Sequence, residues 1–217
     1  DDIVNASEAG SDIAVSGSVT GEFSENDIVT FTVDGTAYSA TVDASNNWSV
    51  NVDGAKLAAQ TEFTVTATGT DVAGNAINAT AISTHTVDTT APGVRLSYVD
   101  TGSSDSDTIT NDNTVTVHDL EAGSTFEYSL DNGNSWTPGT IDLSLNDQLF
   151  ELANNTSYAA GVVQVRTTDA AGNVSTPVSL GAITTDNIGE GTVSVNAITA
   201  DDIVNASEAG SDIAVSG

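Results

Sequence analysis

The first half of the chain alternates apolar and polar residues with a period of two. Val29, Phe31 and Val33 face one way with Thr30 and Thr32 opposite. Tyr38, Ala40 and Val42, then Trp48, Val50 and Val52, then Phe63, Val65 and Ala67 repeat the pattern. Each run predicts a strand with one buried and one wet face. Turn chemistry falls between them at Asp34-Gly35, Asn46-Asn47, Asp53-Gly54 and Ala73-Gly74-Asn75, and again at Asp131-Asn132-Gly133-Asn134. Short strands rich in Thr and Val, spaced roughly 8–12 residues apart, predict an antiparallel sandwich rather than a parallel α/β sheet. Only residues 54–60 suggest a helical turn. The fold class is therefore all-β.

Residues 1–17 recur letter for letter at 201–217, so the chain spans a little more than one period of a tandem array. A weaker repeat lies inside that period. Thr70-Asp71-Val72-Ala73-Gly74-Asn75 returns as Thr168-Asp169-Ala170-Ala171-Gly172-Asn173, and Asp88 returns as Asp186; both aspartates stand 98 positions after their counterparts. Two sandwich domains are expected, over residues 1–91 and 92–188, with 189–217 as a linker and the start of a third. Gly191-Thr192-Val193-Ser194-Val195-Asn196-Ala197-Ile198-Thr199 has the pattern of a first strand, and no equivalent precedes Asp1. The first domain thus lacks its opening strand. The segment 190–217 cannot close a core alone; it is expected to extend as a tail or to pair head-to-tail with another copy by strand addition. The absence of Met, at position 1 as elsewhere, suggests a piece of a longer chain.

Composition narrows the function. Three Lys and Arg stand against 31 Asp and Glu, a formal charge of −28. Nucleic-acid binding needs a basic stripe, and Lys56, Arg95 and Arg166 are scattered. Anionic membranes would repel the chain, and no apolar run approaches the ~20 residues of a membrane span, so no membrane insertion is expected. At 38% hydrophobic residues it can build cores. Zero Cys removes disulfides and thiolate sites. His85 and His118 lie in or beside runs of Thr and Val with no evident nucleophile, and the nucleophile elbow, phosphate loop and His-Glu-x-x-His motifs are missing. No enzymatic activity is expected. Trp48 is in phase with Val50 and Val52 and should be buried; Trp136 closes a hairpin as a further sandwich residue, leaving sugar stacking as a minor alternative.

Nine of the 31 acids are Glu and the rest Asp, a bias toward turns and oxygen-ligand cation sites. Asp71 and Asp169 sit in turns before the last strand, and Asp88 and Asp186 end that strand. The segments after each linker add Asp100, Asp105 and Asp107, then Asp201, Asp202 and Glu208. Oxygen ligands in flexible turns suit Ca²⁺ better than Mg²⁺. Solvated turn acids and general surface acidification are the alternatives.

Together, Asp1-Asp2-Ile3-Val4-Asn5-Ala6-Ser7-Glu8-Ala9-Gly10, the Asp-x-Ala-Gly-Asn turn, Val87-Asp88-Thr89-Thr90-Ala91-Pro92 and Tyr128-Ser129-Leu130-Asp131-Asn132-Gly133-Asn134-Ser135-Trp136-Thr137 resemble the bacterial Ig-like repeats of giant adhesins of the RTX type, exported by type I secretion. The resemblance implies tandem immunoglobulin-like domains acting as an extender at the bacterial cell surface, with neighbouring repeats of the same chain as partners and Ca²⁺ at the junctions. The implied ligands are Asp2, Glu8, Asp71, Asp88, Asp169, Asp186, Asp202 and Glu208, with Asp100, Asp105 and Asp107 matching a variant opening segment. A module binding a glycan or a protein directly is the alternative. The second linker, Asp186-Asn187-Ile188-Gly189-Glu190, lacks the Thr-Thr-Ala-Pro of the first.

Overall fold

The computed structural model describes residues 2–142 and 144–217. The first domain holds β1 (Ile3–Asn5), β2 (Asp12–Ser18), β3 (Ile28–Val33), β4 (Thr36–Thr41), β5 (Asn47–Asp53), helix α1 (Gly54–Ala59), β6 (Glu62–Thr70), β7 (Ala76–Thr84) and β8 (Thr86–Asp88). An antiparallel sheet in the order β4-β3-β6-β7 faces the pair β2-β5, while β1 runs parallel to β8. The period-two pattern explains the layering. In β3, Val29, Phe31 and Val33 are buried while Ile28, Thr30 and Thr32 are exposed, and Val42, Trp48, Val52, Phe63 and Ala67 join them in one core. Asp34 (φ 43°) and Gly35 (φ 72°) are both left-handed, the requirement of the tight turn joining β3 to β4. Asp53 Oδ1 accepts the Ala55 amide and so starts α1.

The second domain holds β9 (Arg95–Tyr98), β10 (Ile109–Thr110), β11 (Thr114–His118), β12 (Thr125–Ser129), β13 (Thr137–Pro138), β14 (Gln148–Glu151), β15 (Thr156–Tyr158), β16 (Gln164–Thr168), β17 (Val178–Ser179) and β18 (Ile183–Thr185). Its sheets run β14-β11-β9, β13-β12-β16-β17 and β10-β18-β15. A second core forms around Val115, Val117, Phe126, Val163, Val165 and Ile183.

The two domains match in register. Ile3 pairs with Thr86 as Ile109 pairs with Thr184, each preceded by a left-handed residue, Asp2 (φ 61°) and Thr108 (φ 66°). They differ in one strand. β9 extends the β14-β11 sheet on the free side of β11, whereas β2, the counterpart of β11, pairs only with β5 among the described residues.

Trp48 is buried against Phe31, as its phase predicts. Trp136 departs from expectation: it lies outside the core, under the Arg166 guanidinium at 4.4 Å, and Arg166 in turn pairs with Glu127 at 2.7 Å. The hairpin turn carries its strand onto the outer face, where the guanidinium covers the indole.

Candidate functional site

β7 and β8 carry the chain from Ala76 to Asp88, so Asp71 and Asp88 stand at opposite ends of the first domain, on the order of 40 Å apart at ~3.3 Å per residue. The same holds for Asp169 and Asp186. What meets at the junction comes from different domains, and Asp88 takes part through its backbone carbonyl. The turn Asp169–Asn173 of the second domain sits against Asn5, Ala6 and Asp88 of the first.

That turn is built locally. Asp169 Oδ1 accepts the Asn173 amide at 2.8 Å, its Oδ2 accepts Asn173 Nδ2 at 2.9 Å, and Gly172 adopts φ 90°, a conformation that favours glycine. Asn173 then reaches across the junction. Its Nδ2 donates to the Asp88 carbonyl at 2.8 Å and its Oδ1 accepts the Ala6 amide at 2.8 Å, while Asn5 Nδ2 donates to the Ala171 carbonyl at 3.0 Å. Asn173 is 5% exposed, Ala171 4% and Asp169 8%.

The first domain carries the same turn, which touches no other domain among the described residues. Asp71 Oδ1 accepts the Asn75 amide at 2.7 Å and Gly74 adopts φ 86°. There Ala73 and Asn75 are exposed. The turn is thus preformed, and docking buries it.

Both turn aspartates are held below the ordinary carboxylate range, for different balances of cause. At Asp71 the Asn75 side chain and amide dominate. At Asp169 burial is the largest influence and pushes upward, but the combined hydrogen bonds from Asn173, Ala171 and Gly172 outweigh it.

The remaining acids are placed as follows. Glu8 closes a reciprocal cap: its Oε2 accepts the Asn5 amide at 3.0 Å while Asn5 Oδ1 accepts the amides of Ser7 and Glu8. Glu208 repeats this with Asn205. The Asp2 carbonyl accepts the Thr86 amide, and Asp2 and Glu8 line one cavity of about 340 Å³ beside His85 and Leu57. Asp88 Oδ1 accepts the Thr90 amide. Asp100 Oδ2 holds the Thr108 amide and Asp107 Oδ1 that of Ile109, so the loop containing Asp100, Asp105 and Asp107 leads into β10, beside the exit strand β18, rather than bracing the first linker. The Asp186 amide donates to the Thr110 carbonyl, and Asp202 Oδ1 accepts the Ile198 amide.

Among the described residues no three His, Asp or Glu side chains converge. Among the described residues, four side-chain oxygens shut off from solvent have no hydrogen-bond partner, the hydroxyls of Ser124 and Thr167 and two that can only accept, Asp100 Oδ1 and Asn187 Oδ1.

His118 ends strand β11, and it has a hydroxyl and a carboxylate beside it where the sequence offered no evident nucleophile. Its Nε2 lies 2.7 Å from Ser97 Oγ and its Nδ1 2.8 Å from Asp147 Oδ2. The contact was hidden because Ser97 and His118 come from neighbouring strands and Asp147 from a distant loop. Ser97 alternates with the core-packed Leu96 and Tyr98, so this chain of bonds lies on the outer face of the sheet. His85 instead packs its Nε2 on the Leu57 carbonyl at 2.9 Å.

No protein-family model matches the chain, and no curated protein matches it. Among solved structures, a 1.5-MDa bacterial ice-binding adhesin described for host cell surface retention is 32% identical, over 85% of this chain and 60% of that one, with a TM-score of 0.56. A Ca²⁺-stabilized adhesin that helps an Antarctic bacterium reach out and bind ice is 34% identical, over 99% of this chain and 54% of that one, with a TM-score of 0.57. A bacterial immunoglobulin-like domain from the M. primoryensis ice-binding adhesin is 50% identical, over 40% of this chain and 86% of that domain, with a TM-score of 0.39. This chain spans only 60% and 54% of the first two. With its paired sandwiches and letter-for-letter repeat, the chain belongs with the repeat regions of large bacterial adhesins.

Proposed function

We propose that this chain is a non-enzymatic spacer of an extracellular bacterial adhesin, and that Ca²⁺ stiffens its domain junctions. The carrying observation is the junction itself, where Asn173 ties the exit of one domain to the turn of the next and brings Asp88 and Asp169 to either side of one side chain. A spacer gains length from repetition, which favours this reading over a single binding tip. Trp48 is buried and Trp136 is covered by Arg166, so neither offers the open platform that the glycan-binding alternative needs.

The donor set suits a hard cation, being all oxygen, and the unpartnered Asp100 Oδ1 is a buried carboxylate oxygen of the kind a cation satisfies. Asp88, Asp169 and Glu8 would hold an ion at the first junction; Asp186, Asp202 and Glu208 at the next; Asp100 and Asp107 beside β10. Bound Ca²⁺ would neutralise charge and restrict the hinge together. The exposed turn Asp71–Asn75 is the counterpart that docks on a preceding repeat. A calorimetric Ca²⁺ titration tests the proposal: saturable heat is expected, with at least one site lost in Asp88→Ala. Absence of heat, or a curve identical in the variant, would contradict it.

A further inference from the structure

We propose that Ser97, His118 and Asp147 form a nucleophilic centre on the outer face of the second domain, at which Ser97 accepts one acyl group from an uncharged, activated ester. The inference stands apart from the calcium reading, because it rests on two strands of one sheet and the residue that precedes β14. It leaves the spacer role intact, since one acyl group per chain is a modification and not turnover.

The bonding pattern shows which group holds which proton. Near neutral pH Asp147 is a carboxylate and can only accept, so the 2.8 Å contact between His118 Nδ1 and its Oδ2 places the ring hydrogen on Nδ1. Nε2 of the neutral ring then carries a lone pair, and Ser97 Oγ, 2.7 Å away, donates to it. A hydroxyl bonded to a bare imidazole nitrogen, with the far nitrogen oriented by a carboxylate, is the arrangement that activates serine as a nucleophile. The sheet holds it in place. Ser97 and His118 are diagonal neighbours on β9 and β11, Thr116 standing opposite Ser97 and Arg95 opposite His118, while Val115 and Val117 on the other face of β11 are fully buried. Ser97 is partly exposed, the His118 side chain 17% exposed and that of Asp147 46%, so a small ester reaches the hydroxyl from solvent while the ring stays fixed.

Two other serines of the same domain give the contrast. The hydroxyls of Ser135 and Ser144 donate directly to the carboxylates of Asp131 and Asp142. Hydrogen bonds led by those serines hold both carboxylates below the ordinary range, which leaves them too weak as bases to take a hydroxyl proton near neutral pH. His85, the other histidine, has its Nε2 on the Leu57 carbonyl and not on a hydroxyl. In the acylation step Ser97 Oγ bonds to the acyl carbon as the ester C–O bond breaks. The hydroxyl proton passes to His118 Nε2 and from there to the departing alcohol oxygen. One ester is consumed and one is formed, with no change of oxidation state. The net charge of −28 disfavours an anionic donor, which is why the ester should be uncharged.

The test incubates the full chain with p-nitrophenyl acetate in chelator, which separates it from the calcium proposal, and maps acetyl groups by mass spectrometry. Ser97 should acetylate at least about 100-fold faster than Ser135 or Ser144, the lower end of what a positioned base supplies. Ser97→Ala should abolish the fast step, and His118→Gln should slow it to the rate of the two reference serines. Asp147 acts through the ring as a positioning residue: Asp147→Asn should slow the step, Asp147→Glu should restore part of it, and the imidazole nitrogen NMR shifts should move from the Nδ1–H toward the Nε2–H tautomer in Asp147→Asn. Thermal melting checks that each variant is folded, and the ratio of rates in the unaltered chain tests the proposal without any variant. Acetylation of Ser97 no faster than that of the reference serines, a fast step that survives His118→Gln, or an unchanged rate in Asp147→Asn would overturn it.

Discussion

At the scale of single residues the junction turns on Asn173. The same asparagine in the first domain, Asn75, makes the same bonds to its own turn but touches no neighbour. Comparing the two therefore separates the turn from the joint. Asn173→Ala should release the domains to tumble independently in NMR relaxation, at a loss of roughly 1–3 kcal/mol of coupling for its bonds to Ala6 and Asp88. Asn75→Ala should leave interdomain motion unchanged; equal effects would place the coupling elsewhere.

Acid sensitivity is also decided residue by residue. Ser135, through its hydroxyl and then its amide, and Ser129 through its hydroxyl, hold Asp131 down to about 2, below the ordinary carboxylate value. A group with a depressed folded pKa contributes stability that is complete above the unfolded value, about 4, and is lost as pH falls toward the folded one. Melting of the second domain should accordingly decline between about pH 4 and 2, less steeply in Asp131→Asn; a parallel decline in the variant would assign it to other acids.

Elements show which part of the sequence speaks for itself. Residues 1–17 and 201–217 are identical, yet only the first copy forms strands. The asparagine–glutamate cap, the 3₁₀ turns Glu8–Gly10 and Glu208–Gly210 and the left-handed Asp2 and Asp202 appear in both. Turn geometry is thus set within a few residues, while β1 and β2 need β8 and β5 to pair with. That explains what was legible. The alternating runs around Phe31 and Phe63 announced buried strands directly, and α1 fell where the Asp53-Gly54 break put it. The junction was not legible, because Asn5, Asp88 and Asn173 are far apart in the chain and only the folded topology unites them. Ser97, His118 and Asp147 were hidden for the same reason.

Gly54 is the element-level pressure point. A β-carbon there would collide with the carbonyl oxygens of Glu8 and Ser11, where the 3₁₀ turn packs on the start of α1. Gly54→Ala should lower the stability of the first domain by more than about 2 kcal/mol in denaturant unfolding, since backbone must shift to admit it. An unchanged midpoint would mean that the turn is not held by that packing.

For the whole molecule, charge is the dominant fact. Lys56, Arg95 and Arg166 are each already paired, with Asp34, Asp119 and Glu127, so the net −28 has no further cation of the chain to meet it. Nine-residue strands such as β6 and β7 make each domain ~30 Å long or more. Repeated end to end, such units form a rod only if their mutual repulsion and hinge freedom are restrained. Asn173 restrains one joint; divalent ions would neutralise the carboxylates that remain around it.

Small-angle X-ray scattering of the full chain in dilute solution, with Ca²⁺ and with chelator, tests this most directly. Docked domains with Ca²⁺ should give a narrow, extended distance distribution that broadens toward flexible beads in chelator. Superimposable profiles in the two conditions would contradict calcium as the stiffening agent.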